Sequence, residues 1–338
     1  MFKNEVAEFI YKRTYSRWIE KEKRREEWPE TIERFIGFLI SKRGKDIPDK
    51  TIRKIRKYMI GFAVMPSMRF LWAAGPPAEK DNTVIYNCSF ARLNCVEAFA
   101  ECLHILMCGT GFGFSAEKEE VDKLPEVQEI KSGKNLPKIM IEDSREGWAD
   151  SVKTLMQSLY DGQNLYFNYS ELRPEGSRLI TMGGWSSGPL PLIKLHDFIR
   201  ETMHNAQGRK LTTLECHDIA NQIAEIVVAG GVRRSSQISL SDLDDKEMRH
   251  AKDWPFPIRR AMANNSAIYR NKPTAADFLV EWGVLAKSGS GERGIFNLLS
   301  AQNRAPTRRY APLIQGTNPC GEIMLRDMEF CNLSEVVV

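Results

Sequence analysis

The amino-acid sequence predicts an α/β fold preceded by a small helical domain. In the first sixty or so residues, apolar side chains repeat at helical spacing. These repeats are Ile32, Phe35, Ile36 and Leu39, followed by Ile52, Ile55, Met59 and Phe62. From about Pro66 onward, short apolar or β-rich runs alternate with helical segments. Such alternation is typical of largely parallel strands joined by helices.

Local signals place the individual elements of this fold. Residues 83–86 form a candidate strand, which ends at Asn87. The other predicted segments are helices over about 94–107, 215–229 and 275–285 and strands over 237–240 and 294–297. The first of these helices stops at Gly109, and the second stops at the pair Gly230-Gly231.

We predict two domains, a helical domain over 1–64 and an α/β domain over 65–338. The stretch 118–178 fits the alternation poorly, because it is polar, irregular and rich in aromatic residues. We therefore expect an inserted subdomain there. The sequence contains no internal repeat and no low-complexity tract.

The composition indicates a globular protein. Of its 338 residues, 42% are hydrophobic and 27% are charged, and the net charge is +4. No apolar run approaches the length that spans a bilayer, and the N-terminus has no signal-peptide core, so we expect a cytoplasmic location. Basic and acidic residues are interleaved over 20–27, which favours a solvated helix over a nucleic-acid-binding face.

Cysteine usage favours reduced thiols. The seven cysteines are an odd number without a CxxC pair, which argues against a disulfide scaffold and against a zinc ribbon. They are Cys88, Cys95, Cys102, Cys108, Cys216, Cys320 and Cys331. Cys95 and Cys102 share a helical spacing with Phe99 and Leu106, which predicts an apolar stripe within the core. No metal site is predicted.

The segment 316–323 concentrates reactive groups. Asn318, Cys320 and Glu322 stand around a proline and a glycine, which neither a helix nor a central strand readily accepts, so a loop is expected here. A nearby carboxylate raises the pKa of a thiol, whereas a thiolate nucleophile needs it lowered. The pattern therefore suits hydrogen-atom transfer by a protonated thiol. A tight turn with an incidental cysteine is the alternative.

Cys88 and Cys331 are two further candidates for redox chemistry. They can form a disulfide only if the fold brings their Cα atoms within about 7 Å. Sequence alone leaves that open, and a buried structural cysteine remains the alternative for each.

Two glycine-rich segments are read as turns that could contact phosphate or nucleotide. The first, 109–115, follows a helix and lacks the lysine of a P-loop, so neither the dinucleotide-binding nor the P-loop pattern applies. The second, 230–236, offers flexible backbone, Arg233, Arg234 and two serines, a set that suits anion or base recognition. A helix end followed by two solvated arginines is the alternative reading of the second segment.

Taken in order, these pieces resemble the catalytic subunit of a ribonucleotide reductase. The resemblance culminates in Asn318-Pro319-Cys320-Gly321-Glu322 and Cys331. Upstream, it is carried by 8–11, 13–18, 65–69, 87–88, 109–115, 187–189, 230–236, 264–266 and 291–297. The close spacing of Cys320 and Cys331, the N-terminus and the insertion after Ser115 look most like the monomeric, adenosylcobalamin-dependent ribonucleoside-triphosphate reductases.

This resemblance implies a fold and a set of catalytic roles. The chain would form the N-terminal half of a ten-stranded α/β barrel, with a finger loop that carries the radical cysteine. Cys320 would become a thiyl radical and abstract the 3′-hydrogen of a ribonucleotide. Glu322 would accept the 3′-hydroxyl proton and Asn318 would hold the substrate hydroxyls. Cys88 and Cys331 would be the reducing pair, regenerated by a thioredoxin-type reductant.

The resemblance also implies binding residues. The substrate would be bound by Ser67, Asn87, Gly109, Gly111 and Gly113. Ser67 stands where the diiron class of the family has a phosphate-contacting threonine, so the hydroxyl is kept. A specificity loop coupling deoxynucleotide effectors to the substrate base would comprise Gly230, Gly231, Arg233, Arg234 and Ser235.

A family member would continue past Val338 through a second half-barrel and most of the cobalamin site. We therefore expect a complementary C-terminal polypeptide, from a split or interrupted gene, without which the chain is inactive. A truncated fragment is the alternative for its origin. Two other functional hypotheses are a non-catalytic nucleotide-binding or regulatory fragment and, third, a nucleic-acid-binding protein.

Overall fold

A six-stranded sheet organises the larger part of the computed structural model, which describes residues 2–131, 136–179, 185–229 and 235–337. Its strand order is β10-β9-β8-β5-β4-β13, and all neighbours are parallel except β13, which runs antiparallel to β4. In chain order the strands are β4 (Cys88–Arg92), β5 (Gly111–Ser115), β8 (Gln237–Asp242), β9 (Ala263–Ile268), β10 (Gly294–Phe296) and β13 (Glu329–Cys331). The predicted α/β fold is confirmed.

Helices cover one face of this sheet. The helices of this part of the chain are α6 (Val96–Met107), α7 (Lys118–Val121), α8 (Arg145–Tyr160), α9 (Leu190–Asn205), α10 (Thr213–Ala229), α11 (Lys246–Arg249), α12 (Ala275–Ser288) and α13 (Leu298–Asn303). Apolar side chains of α6, α8, α9 and α10 form one continuous core with Phe112 and Phe114 of β5. Burying a large apolar side chain stabilises a fold by about 1.5–3 kcal/mol, so this core anchors the sheet.

A β-hairpin lies on the opposite face of the sheet. It is formed by β11 (Ile314–Thr317) and β12 (Met324–Arg326), which pair antiparallel. A second apolar cluster joins Ile314 and Leu325 of the hairpin to Phe90, Ile238 and Leu240 of the sheet. The sheet is therefore buried on both sides, as parallel sheets usually are.

The stretch 118–178, predicted to be an inserted subdomain, contains α7, α8 and a small parallel sheet. That sheet pairs β6 (Lys138–Met140) with β7 (Tyr166–Asn168). Tyr160 and Phe167 belong to the same core as β5. The segment thus packs with the larger unit rather than around a core of its own.

A second compact unit contains the residues up to Asn87 and those from Asn332 onward. Its elements are α1 (Glu5–Thr14), β1 (Trp18–Ile19), β2 (Arg24–Arg25), α2 (Trp28–Arg43), α3 (Asp49–Ile60), β3 (Val64–Pro66), α4 (Met68–Ala73), α5 (Pro76–Lys80) and β14 (Ser334–Val336). The helices enclose a separate core that includes Ile32, Phe35 and Met59, residues of the predicted helical repeats. The predicted boundary at residue 64 falls inside this unit.

The candidate strand over 83–86 is wrong, because this segment is a 3₁₀ helix, Asn82–Ile85. The Asp81 side chain accepts a hydrogen bond from the backbone N–H of Thr83, and Tyr86 N–H donates to the Thr83 carbonyl. Such local side-chain bonding competes with strand formation. Within the residues that the structure describes, no helix is long and apolar enough to cross a membrane.

The close packing of the hairpin on the sheet can be tested at Gly113. A Cβ atom at this position would lie 2.1 Å from the Thr317 carbonyl oxygen, so Gly113→Ala should lower the free energy of unfolding by about 1–3 kcal/mol. Urea unfolding measures this change. Gly283→Ala is the control, because it lies in α12 with nothing within 4 Å of its Cβ, and should leave stability unchanged or slightly higher. Equal stability of Gly113→Ala and the parent would contradict this packing.

Candidate active site

Two glycines bring the hairpin into direct contact with the sheet. Gly113 of β5 faces the Thr317 carbonyl, where any Cβ would collide. Across the same interface, a Cβ at Gly316 would lie 2.1 Å from the Phe90 ring. Only a residue without a side chain allows backbone to approach this closely. The position of the hairpin turn above the sheet follows from these two contacts.

The turn of the hairpin is organised by Asn318, which is 1% exposed. Its Oδ1 accepts a hydrogen bond of 3.0 Å from Ile323 N–H, and its backbone N–H donates to the Ile323 carbonyl at 3.2 Å. Gly321 N–H donates to the Asn318 carbonyl at 2.9 Å, and Gly321 adopts a φ of +83°, which favours glycine. The predicted loop is confirmed as the turn between β11 and β12.

Cys320 and Glu322 are exposed at the tip of this turn. Partial burial, the Glu322 carboxylate and the neighbouring Cys88 sulfur together raise the pKa of the Cys320 thiol. Each of these causes disfavours the thiolate. Cys320 is therefore a protonated, accessible thiol near neutral pH.

Cys88 and Cys331 lie directly opposite each other on adjacent strands. The antiparallel register of β4 and β13 pairs the two residues. Directly opposed residues in an antiparallel pair have Cα atoms about 4.5–5.5 Å apart, which is within the range for a disulfide. A hydrogen bond with the Cys88 side chain, then burial, raise the pKa of the Cys331 thiol. The fold thus supplies the proximity that sequence left open.

Cys88 links Cys331, its partner across the strand pair, to the hairpin turn that carries Cys320. A Cβ placed on Gly111 would lie 3.1 Å from Cys88 Sγ and 3.0 Å from Cγ of Pro319, the residue before Cys320. Gly111 therefore lets Pro319 of the hairpin turn approach Cys88 more closely than a residue with a side chain would. The arrangement offers one exposed thiol, a carboxylate beside it and two thiols poised to form a disulfide.

The glycine-rich segment 109–115 is not the turn that was predicted. Gly111 and Gly113 lie in the buried strand β5, and only Gly109, with a φ of +74°, occupies a turn after α6. Glycine and phenylalanine alternate along β5, so that the glycines face the hairpin and Phe112 and Phe114 face the helices. This period of two is the sequence signal for a strand.

The other predicted binding residues have different positions. Ser67 caps α4, where its hydroxyl accepts a hydrogen bond from Phe70 N–H, and Asn87 Oδ1 accepts one from Leu333 N–H. Both lie in the smaller unit. Of the predicted specificity loop, Gly230, Gly231, Arg233 and Arg234 lie outside the described residues, and Ser235 stands two residues before β8.

The remaining cysteines separate into buried and exposed thiols. Cys102 and Cys216 are fully buried, and burial raises the pKa of both thiols, as expected for packing residues. Cys108 is also buried, and its sulfur accepts a hydrogen bond of 2.9 Å from Arg145. The predicted stripe is wrong at Cys95, which is exposed because it precedes the first residue of α6.

A cleft beside Glu322 was not anticipated from the sequence. Its volume is about 560 Å³, and it opens between α13 and the hairpin turn. Its polar lining residues are Asn297, Ser300, Arg304, Arg309 and Glu322. Asn297, Ser300 and Arg304 follow one another at helical spacing in and beside α13, but no local spacing links them to Glu322.

Comparison with known proteins points to one family. A model of the ribonucleotide reductase alpha domain matches residues 1–76. Curated adenosylcobalamin-dependent ribonucleoside-triphosphate reductases are similar along the chain: that of Levilactobacillus brevis is 28% identical and that of Lacticaseibacillus paracasei 29% identical, each over 98% of this chain and 54% of the relative. The chain therefore spans about half the length of the curated relatives it matches.

Solved structures agree with this result. A B12-dependent, class II ribonucleotide reductase superposes with a TM-score of 0.82 at 27% identity, over 97% of this chain and 55% of the other. The alpha subunit of the class Id ribonucleotide reductase of Actinobacillus ureae has a TM-score of 0.56 at 12% identity, over 98% of this chain and 49% of that one, and supports the fold alone. The resemblance to the N-terminal half of a cobalamin-dependent reductase is confirmed.

The electrostatic environment of Cys320 predicts its pH dependence. Because its pKa is raised, alkylation by iodoacetamide should reach half its maximal rate at a higher pH than for an ordinary cysteine. Glu322→Gln removes one cause and should move this midpoint to lower pH, although burial and Cys88 remain. Mass spectrometry of the tryptic peptide 310–326, which contains no other cysteine, measures the rate.

Glu126→Gln is the matched control, since Glu126 is an exposed carboxylate in the same unit and is not among the groups that shift the Cys320 pKa. It should leave the alkylation midpoint unchanged. An unchanged midpoint in Glu322→Gln as well would show that the carboxylate does not act on the thiol.

Proposed function

We propose that this chain is the N-terminal half of a ribonucleotide reductase and reduces ribonucleoside triphosphates to 2′-deoxyribonucleotides once a complementary C-terminal polypeptide is bound. The observation that carries the proposal is the position of Cys88, which lies opposite Cys331 on the sheet and acts on the thiol of Cys320 in the hairpin turn. A non-catalytic nucleotide-binding fragment would need no such cluster of thiols.

In this proposal Cys320 exchanges a hydrogen atom with the substrate. A protonated thiol has the hydrogen that a thiyl radical must recover at the end of each turnover, so the raised pKa suits the role. The exposure of Cys320 at the turn lets a ribose approach the sulfur. Abstraction of the 3′-hydrogen would begin the reaction.

Glu322 and Asn318 would act on the ribose hydroxyls. Glu322 is the exposed carboxylate of the same turn, and as a general base it would accept the proton of the 3′-hydroxyl. The Asn318 Oδ1 is already engaged by the backbone of Ile323, which fixes the amide plane. Its NH₂ group, which donates to no described residue, would then hold a substrate hydroxyl.

Cys88 and Cys331 would supply the reducing equivalents. One thiol protonates the departing 2′-hydroxyl, which leaves as water, and the two sulfurs release two electrons as they join in a disulfide. Their opposed positions on β4 and β13 need little movement for this bond to form. A thioredoxin-type reductant would reduce the disulfide by thiol exchange.

The radical would come from adenosylcobalamin, the cofactor named for the relatives. When bound, this cofactor supplies an organic radical by homolysis of its cobalt–carbon bond. The residues present fit that role, since Cys320 stands at the exposed tip of the hairpin, where a hydrogen atom can be removed from the thiol. Most of the cofactor site would lie in the complementary polypeptide.

The complementary polypeptide would also complete the barrel. Five parallel strands, β4, β5, β8, β9 and β10, would form the first half, and β10 lies at one end of the sheet with Ile295 exposed. An unpaired strand edge of this kind favours pairing with another chain.

We further propose that Ser67, Asn87, Gly109, Gly111 and Gly113 contribute to substrate binding. Deoxynucleotide effectors would act through residues 230–235. The enzyme would be cytoplasmic.

Replacing Cys320 tests the proposed reaction. The chain, a complementary C-terminal reductase fragment, adenosylcobalamin and a dithiol reductant should together form deoxyribonucleotide from ribonucleoside triphosphate. Cys320→Ser should reduce turnover to background, because a carbon radical that can remove hydrogen from a thiol cannot break the much stronger O–H bond of serine. Chromatographic quantification of the deoxynucleotide measures the result. Cys95→Ser, an exposed cysteine outside the site, should retain full turnover. Turnover in Cys320→Ser would refute the assignment.

Replacing Glu322 tests the proposed general base. Loss of a positioned base typically slows catalysis by about 10²–10⁴-fold, so Glu322→Gln should lower kcat by that order. KM should change much less, because the glutamine keeps the shape and polarity of the side chain. Steady-state kinetics of the reconstituted pair separate the two parameters. A kcat equal to that of the parent would remove Glu322 from the reaction.

A further inference from the structure

We propose that Cys88 and Cys331 also restore Cys320 after its two-electron oxidation by a peroxide, so that the reducing pair doubles as a repair system for the radical cysteine. This inference rests on the same three thiols as the proposed function. It needs neither nucleotide nor radical, and can therefore be tested on the chain alone.

The three thiols differ in their access to solvent. Cys320 is exposed, Cys88 is half-buried and Cys331 is only 7% exposed. A diffusible peroxide therefore meets Cys320 first. Because its pKa is raised, Cys320 reacts through a small thiolate fraction, so its oxidation should quicken as the pH rises. Because Cys331 is buried, peroxide reaches it less readily, and its thiol remains reduced for the later attack on the Cys88–Cys320 disulfide.

Cys88 is the thiol that acts on Cys320, which makes it the partner for an oxidised Cys320. Gly111 separates Cys88 Sγ from Pro319 by the space of a single absent Cβ. Cys320 follows Pro319 directly, and Gly321 on its other side has nothing within 4 Å of a Cβ position. The proposal requires the tip of the turn to bring Cys320 Sγ onto Cys88 Sγ, and the open surroundings of Gly321 favour that movement.

Oxidation of Cys320 and its condensation with Cys88 are the first two steps. Hydrogen peroxide accepts two electrons from the Cys320 thiol, which becomes a sulfenic acid while one water is released. The Cys88 thiol then attacks the Cys320 sulfur, the S–O bond breaks, and a second water leaves as the Cys88–Cys320 disulfide forms.

The third step returns Cys320 to its thiol. Cys331, opposite Cys88 across the strand pair, attacks the Cys88 sulfur, and Cys320 leaves as a thiolate that takes up a proton. The product is the Cys88–Cys331 disulfide, the same oxidised pair that substrate reduction would leave. The reductant that serves turnover would therefore also complete the repair.

The experiment treats the fully reduced chain with hydrogen peroxide, blocks the remaining thiols and maps them by mass spectrometry. Trypsin places Cys88, Cys320 and Cys331 in separate peptides, 81–92, 310–326 and 327–338. The parent chain should accumulate the Cys88–Cys331 disulfide with Cys320 still a thiol. Cys331→Ser should accumulate the Cys88–Cys320 disulfide, because no thiol is left to resolve it. In Cys88→Ser, peroxide should oxidise Cys320 further to sulfinic acid.

The route through Cys320 is tested by its removal. Cys320→Ser should form the Cys88–Cys331 disulfide about tenfold more slowly than the parent, because the accessible entry thiol is gone. Cys320→Ala serves as a second variant at this exposed position, and Cys95→Ser, which removes an exposed thiol outside the cluster, should react like the parent. Thermal unfolding of each variant verifies that it is folded.

Three outcomes would overturn the inference. The first is sulfinic acid at Cys320 of the parent while Cys88 and Cys331 stay reduced. The others are the absence of a Cys88–Cys320 disulfide in Cys331→Ser and an unchanged rate of Cys88–Cys331 disulfide formation in Cys320→Ser. None of these outcomes tests nucleotide reduction by the chain reconstituted with its C-terminal fragment. If the repair fails while turnover is intact, the proposed function still stands. If turnover is lost while the repair is intact, the repair by Cys88 and Cys331 stands and the proposed function falls.

Discussion

The approach of the β11–β12 hairpin to the parallel sheet is the contact on which the site depends. Gly113 and Gly316 remove the two side chains that would hold the surfaces apart, and Phe90 fills the space above Gly316. Close-packed interiors transmit small displacements rather than absorb them. A shift of the hairpin by the width of a methyl group would therefore move Cys320 relative to Cys88, and the chemistry proposed for the three thiols with it.

The geometry also explains why three cysteines can have different roles. Cys88 and Cys331 are held by a strand pair whose register fixes their separation. Cys320 is held by a turn with glycine on one side and solvent around it. A pair held by strand register suits repeated disulfide formation, whereas an exposed thiol suits reaction with a substrate. Burial and the neighbouring groups keep the thiols of Cys320 and Cys331 protonated by raising their pKa.

Sequence reasoning succeeded where a single periodicity dominated and failed where two signals competed. The helices over 94–107, 215–229 and 275–285 have close counterparts in α6, α10 and α12. The strand proposed for 83–86 is a 3₁₀ helix, because the Asp81 side chain accepts a hydrogen bond from Thr83 N–H. β-Propensity does not take such local side-chain bonding into account. In 109–115 the glycines suggested a turn, although the alternation with Phe112 and Phe114 was the stronger signal.

The sequence by itself determined the α/β class, the helical N-terminal region, the loop around Asn318 and Glu322, and the family resemblance. Each of these is encoded in local spacing or in residue types that only a few backbone conformations accept. The tertiary structure alone decided that Cys88 faces Cys331 and that Pro319 approaches Cys88 over Gly111. Strand register and packing between distant segments set those distances, and local sequence patterns predict neither of them.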